Sequence, residues 1–198
     1  MNNTPIILLD AGHGCNTPGK QSPDGRLREY AYARDIVGRL DCLLRAEGVR
    51  TFIVTPEQTD TPLAVRVQRA NAAYRANASH GFLVSVHCNA AGSGGWMQAR
   101  GWSVHVDTAA SIRSKHIAGL FFDAAERHGL KMRRQTAAEK FIVQPLYICG
   151  RRAAYPAVLT ENLFQDNQED VSFLLSEAGR RTITDVHFEA VMRALSLC

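Results

Sequence analysis

Short apolar runs alternate with amphipathic segments along the chain. Residues 6–9, 49–54 and 82–86 are rich in apolar side chains over a short length, which is typical of buried strands. From residue 29 to residue 47 the apolar positions recur at steps of three and four, and this period predicts an amphipathic helix. Pro62 stands where a second helix, reaching to about Ala73, is expected to begin. The first half therefore reads strand, helix, strand, helix, strand.

The second half continues this alternation. Strands are predicted at residues 102–106, 146–149 and 157–159, and helices at residues 112–128 and from Asp170 to the end. Strands that alternate with helices indicate an α/β domain, in which a mostly parallel sheet is covered by helices on both faces. The sequence shows no repeat, no linker and no break in composition. We therefore expect residues 1–198 to form a single domain.

The composition excludes several classes of protein. Hydrophobic residues make up 45% and charged residues 21% of the 198 positions, unlike a disordered, collagen-like or coiled-coil chain. The net charge of +4, from 23 Lys and Arg against 19 Asp and Glu, is too small an excess to indicate binding of nucleic acid. The five cysteines include no C-x-x-C pair, so neither a disulfide framework nor a zinc ribbon is expected.

The sequence predicts neither a signal peptide nor a membrane span. The apolar run at residues 6–9 is shorter than the roughly 7–15 residues of a signal-peptide core, and no basic segment precedes it. No later run approaches the roughly 18 apolar residues of a spanning helix. We expect the chain either to act where it is made or to be a domain of a secreted parent.

Polar residues with catalytic potential follow the ends of three predicted strands. In open α/β sheets, binding sites form in the crevice beyond the carboxyl ends of the strands. A helix that begins beside this edge adds its first residue to the same crevice. The residues placed there by this rule are Asp10, His13, Glu29, His87, Asn89, Glu161 and Asn162.

Two histidines and two glutamates in this set have the chemistry of a hydrolytic zinc site. Zinc in hydrolases takes three protein ligands from histidine and carboxylate and keeps one position for water. Bound zinc lowers the pKa of that water to about 7, and a carboxylate that is not a ligand then serves as general base and acid. Glu29 and Glu161 suit either role, so the residues alone leave the division between ligand and base open.

Simpler roles compete at these positions. A histidine at a strand end is commonly a hydrogen-bonded surface residue, and Glu29 suits the first turn of a helix through the helix dipole. Glu161 is harder to explain, because a carboxylate within an apolar run is costly to bury unless it is paired or bound to a cation. Residues 14–20 match half of a phosphate-binding loop, but Gln21 replaces the Ser or Thr that would hold magnesium, so nucleotide hydrolysis is not expected.

Asn89 and Arg152 are the candidates for substrate contacts. Asn89 ends the third predicted strand, two residues after His87. Arg151 and Arg152 are ordinarily a solvated pair, but they also suit the carboxylates of a peptide substrate.

Five segments, in order along the chain, resemble one enzyme family. The chain is similar from Ile6 to about Leu195 to the catalytic domain of zinc-dependent N-acetylmuramoyl-L-alanine amidases of the Amidase_3 type. Each segment alone is weakly specific, but their shared order makes the resemblance strong. The segments are LLDAGHG, GRLREY, LAVRVQRAN, LVSVHCNA and PAVLTENLF.

The resemblance implies a division of labour in the site. His13, Glu29 and His87 would be the ligands of one zinc ion, and Glu161 would be the catalytic carboxylate. The implied fold is a twisted, mainly parallel sheet of about six strands between helices. Ala11 stands where many members carry Pro, and Asn162-Leu163 where Thr-Gly is common, but neither departure replaces a ligand.

The implied activity is hydrolysis of the amide between the lactyl group of N-acetylmuramic acid and L-alanine in peptidoglycan or muropeptides. Members of the family act in the cell envelope, in the periplasm or outside the cell, and a cytoplasmic or phage-released form is an alternative location. The alternative functions are a zinc peptidase of related architecture and a wall-binding module that has lost catalysis. The stretch from His116 to Phe141 is too short for the extra inhibitory helix of some members, so we expect an uncovered site.

Overall fold

The computed structural model describes residues 4–92, 94–134, 136 and 138–196. Strands and helices alternate through most of this length, as the hydrophobic pattern predicts. In chain order the elements are β1 (Ile6–Ala11), α1 (Glu29–Ala46), β2 (Arg50–Ile53), α2 (Leu63–Ala76), β3 (Gly81–Asn89), β4 (Ser103–Val106), α3 (Ile112–Arg127), β5 (Ile142–Val143), β6 (Ala157–Phe164), α4 (Gln168–Leu175) and α5 (Glu177–Leu195).

The strands form one sheet in the order β2-β1-β3-β6-β4-β5. The pairs β2–β1, β1–β3 and β3–β6 are parallel, so the carboxyl ends of β1, β3 and β6 meet at one edge, which we call the carboxyl edge. β4 runs antiparallel to β6, and β5 is parallel to β4. The predicted α/β class, with a six-stranded and mostly parallel sheet, is confirmed.

Alternate side chains of the strands enter two hydrophobic cores on opposite faces of the sheet. Ile7, Phe82 and Val158 pack on the face covered by α1, α3 and α5. Leu8 and Leu83 pack on the other face, which α2 and the segment leading into β6 cover. The central strands are therefore buried on both sides, because helices and loops shield each face.

The prediction of a strand at residues 146–149 is wrong. This segment is a turn, in which the Leu146 N–H donates to Asp107 Oδ2 at 2.8 Å and the Gly150 N–H donates to the Tyr147 carbonyl at 3.3 Å. Its apolar residues Ile148 and Cys149 are buried against the face of the sheet instead of pairing within it. The next strand after α3 is instead the two-residue β5. A short apolar run shows burial, but it does not show which backbone partners the run takes.

Two further boundaries differ from the prediction. β6 extends to Phe164, so Glu161 lies within the strand and not after it. The helix predicted from Asp170 onward is divided at Ser176, which is extended (ψ 149°) and whose hydroxyl accepts a hydrogen bond from the Gly179 N–H at 2.9 Å. A serine that caps a new helix in this way ends the previous one.

None of the described helices combines the length and the apolar character that crossing a bilayer requires.

Candidate functional site

Three predicted residues converge at the carboxyl edge. We call His13, Glu29 and His87 the His–Glu–His cluster, since one ligand atom from each lies within 4.8 Å of the other two. His87 Nδ1 is 3.1 Å and His13 Nε2 is 3.5 Å from the same oxygen, Glu29 Oε1. The two imidazole rings meet edge to face, with centroids 5.1 Å apart. Residues from a loop, a helix and a strand are thus brought to one point.

His13 occupies a backbone conformation that few residues adopt. Its φ of 56° is left-handed, a region that is unfavourable for a residue with a β-carbon and is found mostly where the surrounding structure enforces it. Here the His13 carbonyl accepts hydrogen bonds from Arg34 Nη2 at 2.9 Å and from Arg66 Nη2 at 3.4 Å. The preceding Gly12 has no room for a side chain, because a β-carbon would lie 2.4 Å from the His87 ring.

A chain of hydrogen bonds orients the His87 ring. Ser85 Oγ donates to the carboxylate of Asp10 at 2.6 Å, and His87 Nε2 lies 3.1 Å from the same Oγ. Because the only hydroxyl proton of Ser85 goes to Asp10, His87 Nε2–H must donate to Ser85, which leaves Nδ1 to face Glu29. Arg66, itself buried, donates to the other oxygen of Asp10 at 3.0 Å. In the neutral ring, this chain of hydrogen bonds, Asp10–Ser85–His87, leaves the lone pair on Nδ1, the nitrogen that faces the cluster.

Glu29 is held rigidly at the start of α1. Its N–H donates to the Lys20 carbonyl at 3.0 Å, and its carboxylate Oε1 accepts the Cys88 N–H at 3.1 Å. The side chain is 1% exposed, and among the described residues its second oxygen, Oε2, has no hydrogen-bond partner. A buried carboxylate with an unused oxygen is unfavourable unless a cation is near.

The protonation of the cluster follows from burial and from the Glu29 charge. Burial lowers the pKa of His13 to about 4, although the charge of Glu29 opposes this, so the ring is neutral at pH 7. Burial also acts to lower the pKa of His87, but the hydrogen bond and the charge of Glu29 outweigh it and the net shift is upward. For Glu29 itself, burial raises the pKa, while the hydrogen bond and charge of His87 lower it more, so the carboxylate is ionised.

Glu161 lies beside the cluster on the neighbouring strand. It is the register partner of His87 across the β3–β6 pair, and paired residues of parallel strands point to the same face about 5 Å apart. Its Oε2 is buried and has no partner among the described residues. Burial raises the pKa of this carboxyl to about 7, with the charge of His87 opposing and that of Glu29 adding to the shift. Such a group exchanges a proton readily at neutral pH.

The donor atoms of the cluster fit a zinc ion. Two imidazoles and one carboxylate form a donor set that hydrolytic zinc commonly takes. A cation beside Glu29 would satisfy its unpaired Oε2, and it would bind Nδ1 of the neutral His87 ring in place of the proton that Glu29 attracts to that nitrogen. Glu161 is then left outside the set as a free carboxylate.

The predicted substrate contacts are placed differently. Asn89 ends β3 near the cluster, and its side-chain oxygen accepts the Ala90 N–H at 2.9 Å. Arg152 is not brought to the cluster: it donates to the Tyr147 hydroxyl at 2.9 Å, and its carbonyl accepts from Asn71 of α2. Its loop enters the amino end of β6, whereas Glu161 lies four residues further along that strand.

Sequence reasoning missed the residues that support the cluster. Ser85, Arg34 and Arg66 were not among the candidates, although Ser85 is a polar residue inside the apolar run at residues 82–86, and Arg66 lies in a segment that resembles the family. The predicted absence of a covering helix agrees with the described residues between α3 and β5, none of which is helical.

Comparison with known proteins identifies the family. A family model described as N-acetylmuramoyl-L-alanine amidase (Amidase_3) matches residues 7–193. The chain is 26% identical over 194 residues to an endolysin of Bacillus phage SPP1, covering 97% of this chain, and 36% identical over 102 residues to the N-acetylmuramoyl-L-alanine amidase AmiC of Neisseria meningitidis serogroup B, covering 52% of this chain. It spans only 66% of the length of the first relative and 22% of the second.

Solved structures share the fold. The crystal structure of an N-acetylmuramoyl-L-alanine amidase from Clostridium difficile 630 superposes with a TM-score of 0.83 at 22% identity, covering 98% of each chain. At this identity the likeness shows the fold, while the family model shows the relationship. The resemblance found in the sequence is confirmed, and the chain belongs to the Amidase_3 family of N-acetylmuramoyl-L-alanine amidases.

Proposed function

We propose that this chain hydrolyses the amide between the lactyl group of N-acetylmuramic acid and L-alanine in peptidoglycan or muropeptides, using one zinc ion. The observation that carries the proposal is the His–Glu–His cluster with the half-buried Glu161 beside it. Family membership supplies the bond that is cut. As an extension of the same proposal, residues 1–198 act as one catalytic domain.

His13, Glu29 and His87 would hold the metal through the atoms that face one another in the cluster. A zinc ion bound there supplies a water of lowered pKa and a Lewis acid for the amide carbonyl. Two features of the protein favour metal binding by these histidines. His13 is neutral at pH 7, and the hydrogen bonds from His87 to Ser85 and from Ser85 to Asp10 fix the tautomer of the neutral His87 ring. The ionised Glu29 adds the negative charge that favours a divalent cation.

Glu161 would move the proton. In its ionised form, the carboxylate accepts a proton from the attacking water, and in its protonated form the same carboxyl delivers this proton to the departing alanine nitrogen. Burial raises the pKa of this carboxyl above that of an exposed glutamate, and a zinc ion bound beside it would act in the opposite direction. The buried Oε2 has no described partner that would hold it away from this task. Asn89, at the same edge, is our candidate for a substrate contact.

The proposed site of action is the bacterial cell wall, either in the cell envelope or after release from a phage-infected cell. One relative is named an endolysin of a phage and another an amidase of a bacterium, so the comparisons are compatible with both. No nucleic acid partner is proposed.

The test is digestion of purified cell walls by the metal-loaded protein, with Glu161→Gln as the variant. We expect new N-terminal alanine with the muramic acid freed of its peptide, and a loss of at least about a hundredfold in kcat for Glu161→Gln at unchanged zinc content. Glu126→Gln, an exposed substitution on α3, is the matched control.

Three results would reject parts of the proposal. Cleavage within the stem peptide would indicate a zinc peptidase instead. An absence of zinc together with an absence of activity would indicate a wall-binding module. Unreduced activity in Glu161→Gln would remove the proposed role of that residue.

A further inference from the structure

A cavity lies at the carboxyl edge, between segments that follow three strands of the sheet. Its volume is about 250 Å³, and its walls come from the loop after β1, the loop after β3 and the residues that follow β6. The first wall is joined to the cluster through the Lys20 carbonyl, which accepts the Glu29 N–H. The second wall begins at Ala90, three residues after His87. Two walls of the cavity are therefore connected to the segments that carry Glu29 and His87.

Asp166 brings an incompletely paired carboxylate to this cavity. The residue is only 4% exposed. Its Oδ2 accepts the N–H groups of Ala91 at 2.7 Å and Gly92 at 2.9 Å, which ties the loop after β3 to the end of β6. Its Oδ1 is buried and has no partner among the described residues. Holding the loop thus uses one oxygen and leaves the other unused.

Gln165, the preceding residue, adds a second unused acceptor. It is 2% exposed and also lines the cavity. Its Nε2 donates to the Gly19 carbonyl at 3.4 Å, while its Oε1 is buried without a partner in the described part of the chain. Two neighbouring buried acceptors without donors are unfavourable unless a ligand or water supplies hydrogen bonds.

We propose that this cavity binds an ammonium group carried by the peptide part of the substrate. An ammonium has three donors and no acceptor, so it can donate to the free Oδ1 of Asp166 and balance the charge of that carboxylate. A hydroxyl group would satisfy one oxygen and leave the buried carboxylate without a counter-ion. The proposal rests on the proposed function only for the identity of the molecule that carries the ammonium.

The first test uses binding alone. The protein is titrated with Nα-acetyl-L-lysine, and the backbone amide signals of Ala91 and Gly92, which donate to Asp166, are followed by NMR. We expect saturable shifts of these signals, and binding weaker by about tenfold or more for the Nα,Nε-diacetyl derivative, because a hydrogen bond to a charged group is lost. No saturable shift, or equal binding of both probes, would overturn the proposal whether or not the protein is an amidase.

The second test uses substrate selectivity. Asp166→Asn keeps a carbonyl for the two loop amides and removes the charge. For the wild type we expect kcat/KM to be about tenfold higher on a muropeptide with a free side-chain amino group than on its N-acetylated form, and we expect this ratio to fall to about one in the variant. Asp185→Asn, on α5, is the control and should keep the wild-type ratio.

The two tests separate the two proposals. A protein that binds the lysine probe but cleaves neither muropeptide would retain the cavity proposal and reject the proposed function. A protein that cleaves both muropeptides equally well would retain the proposed function and reject the ammonium site.

Discussion

Two histidines, one half-buried and one fully buried, lie in hydrogen-bond networks on opposite faces of the same sheet. His87, in β3, bonds to Ser85 and faces Glu29 at the carboxyl edge. His187, in α5, bonds to the Ile183 carbonyl at 2.7 Å and to Thr160 Oγ1 at 2.9 Å beneath β6. Burial lowers the pKa of His187 to about 4, whereas Glu29 raises that of His87. The same residue type is thus a neutral core residue in one place and, in the other, a residue whose ring nitrogen lies against a carboxylate.

The difference lies in what each network leaves unpaired. Around His187 the polar atoms are used: Thr160 also receives a hydrogen bond from Asn162, whose carbonyl accepts the Trp102 indole N–H at 2.8 Å. At the carboxyl edge, by contrast, buried oxygens remain without partners. Among the described residues four of the six such side-chain atoms are at this edge, and they belong to Glu29, Glu161, Gln165 and Asp166. Incomplete pairing, and not burial of polar groups in itself, therefore marks the site.

Glu29→Gln breaks the site network at its centre and has the largest expected effect. Structural zinc sites bind the ion with an apparent free energy of about 10–16 kcal/mol, which three or four ligands share. One charged ligand therefore contributes roughly 4 kcal/mol, and its loss should weaken zinc binding about a thousandfold. Zinc titration against a competing chelator measures this loss. Glu177→Gln is the matched control, since Glu177 is also the first residue of a helix but is exposed. An unchanged affinity in Glu29→Gln would show that the metal lies elsewhere.

His187→Gln sharpens the comparison through pH. In the unfolded chain, the His187 ring takes up a proton near pH 6.5. In the folded protein, the same ring stays neutral down to about pH 4. Its depressed pKa therefore contributes stability that is fully present above pH 6.5 and lost as the pH falls toward 4, by about 3 kcal/mol. Urea unfolding at several pH values should show this loss diminished in the variant. His116→Gln, an exposed substitution on α3, is the control, and a pH dependence equal to the wild type would contradict the prediction.

Ser85→Ala tests the chain that orients His87. Outer partners of metal ligands typically affect affinity by about 10–100-fold, and we expect a decrease of that size in zinc affinity. Ser103→Ala is a close match, because Ser103 is equally buried and its hydroxyl lies 2.9 Å from the ring of another buried histidine, His105. If both variants lose stability but only Ser85→Ala loses metal affinity, the orienting role is supported. Equal affinities in the two variants would reject it.

Leu163 gives the smallest expected effect. Its φ of 63° is left-handed, at the position where the related family commonly carries glycine. Leu163→Gly and Leu163→Ala both remove a buried side chain from the core, but only glycine relieves the backbone. We expect Leu163→Gly to be the less destabilised of the two by about 1 kcal/mol. Urea unfolding of both variants measures the difference, and a more stable alanine variant would show that the backbone at this position is not strained.

The carboxyl edge was predictable because its signals are local and its rule is general. A polar residue directly after a short apolar run is visible in the sequence, and parallel strands carry such residues to a common edge. His13 and His87 were therefore predicted at this edge from the sequence, and Glu29 was predicted there as the first residue of a helix. The turn at residues 146–150 and the division at Ser176 were not, since apolar character does not reveal which backbone groups pair.

The sequence by itself determined the α/β alternation, the two faces of the central strands and the residue types gathered at the carboxyl edge. Periodic burial and strand polarity follow from local composition. Only the tertiary structure decided which atoms stay unpaired: the free oxygens of Glu29 and Glu161, the tautomer of His87, the exclusion of Arg152 from the cluster and the acceptors of Gln165 and Asp166. Hydrogen-bond partners come from residues distant in the chain, so their presence or absence is fixed only when the elements pack.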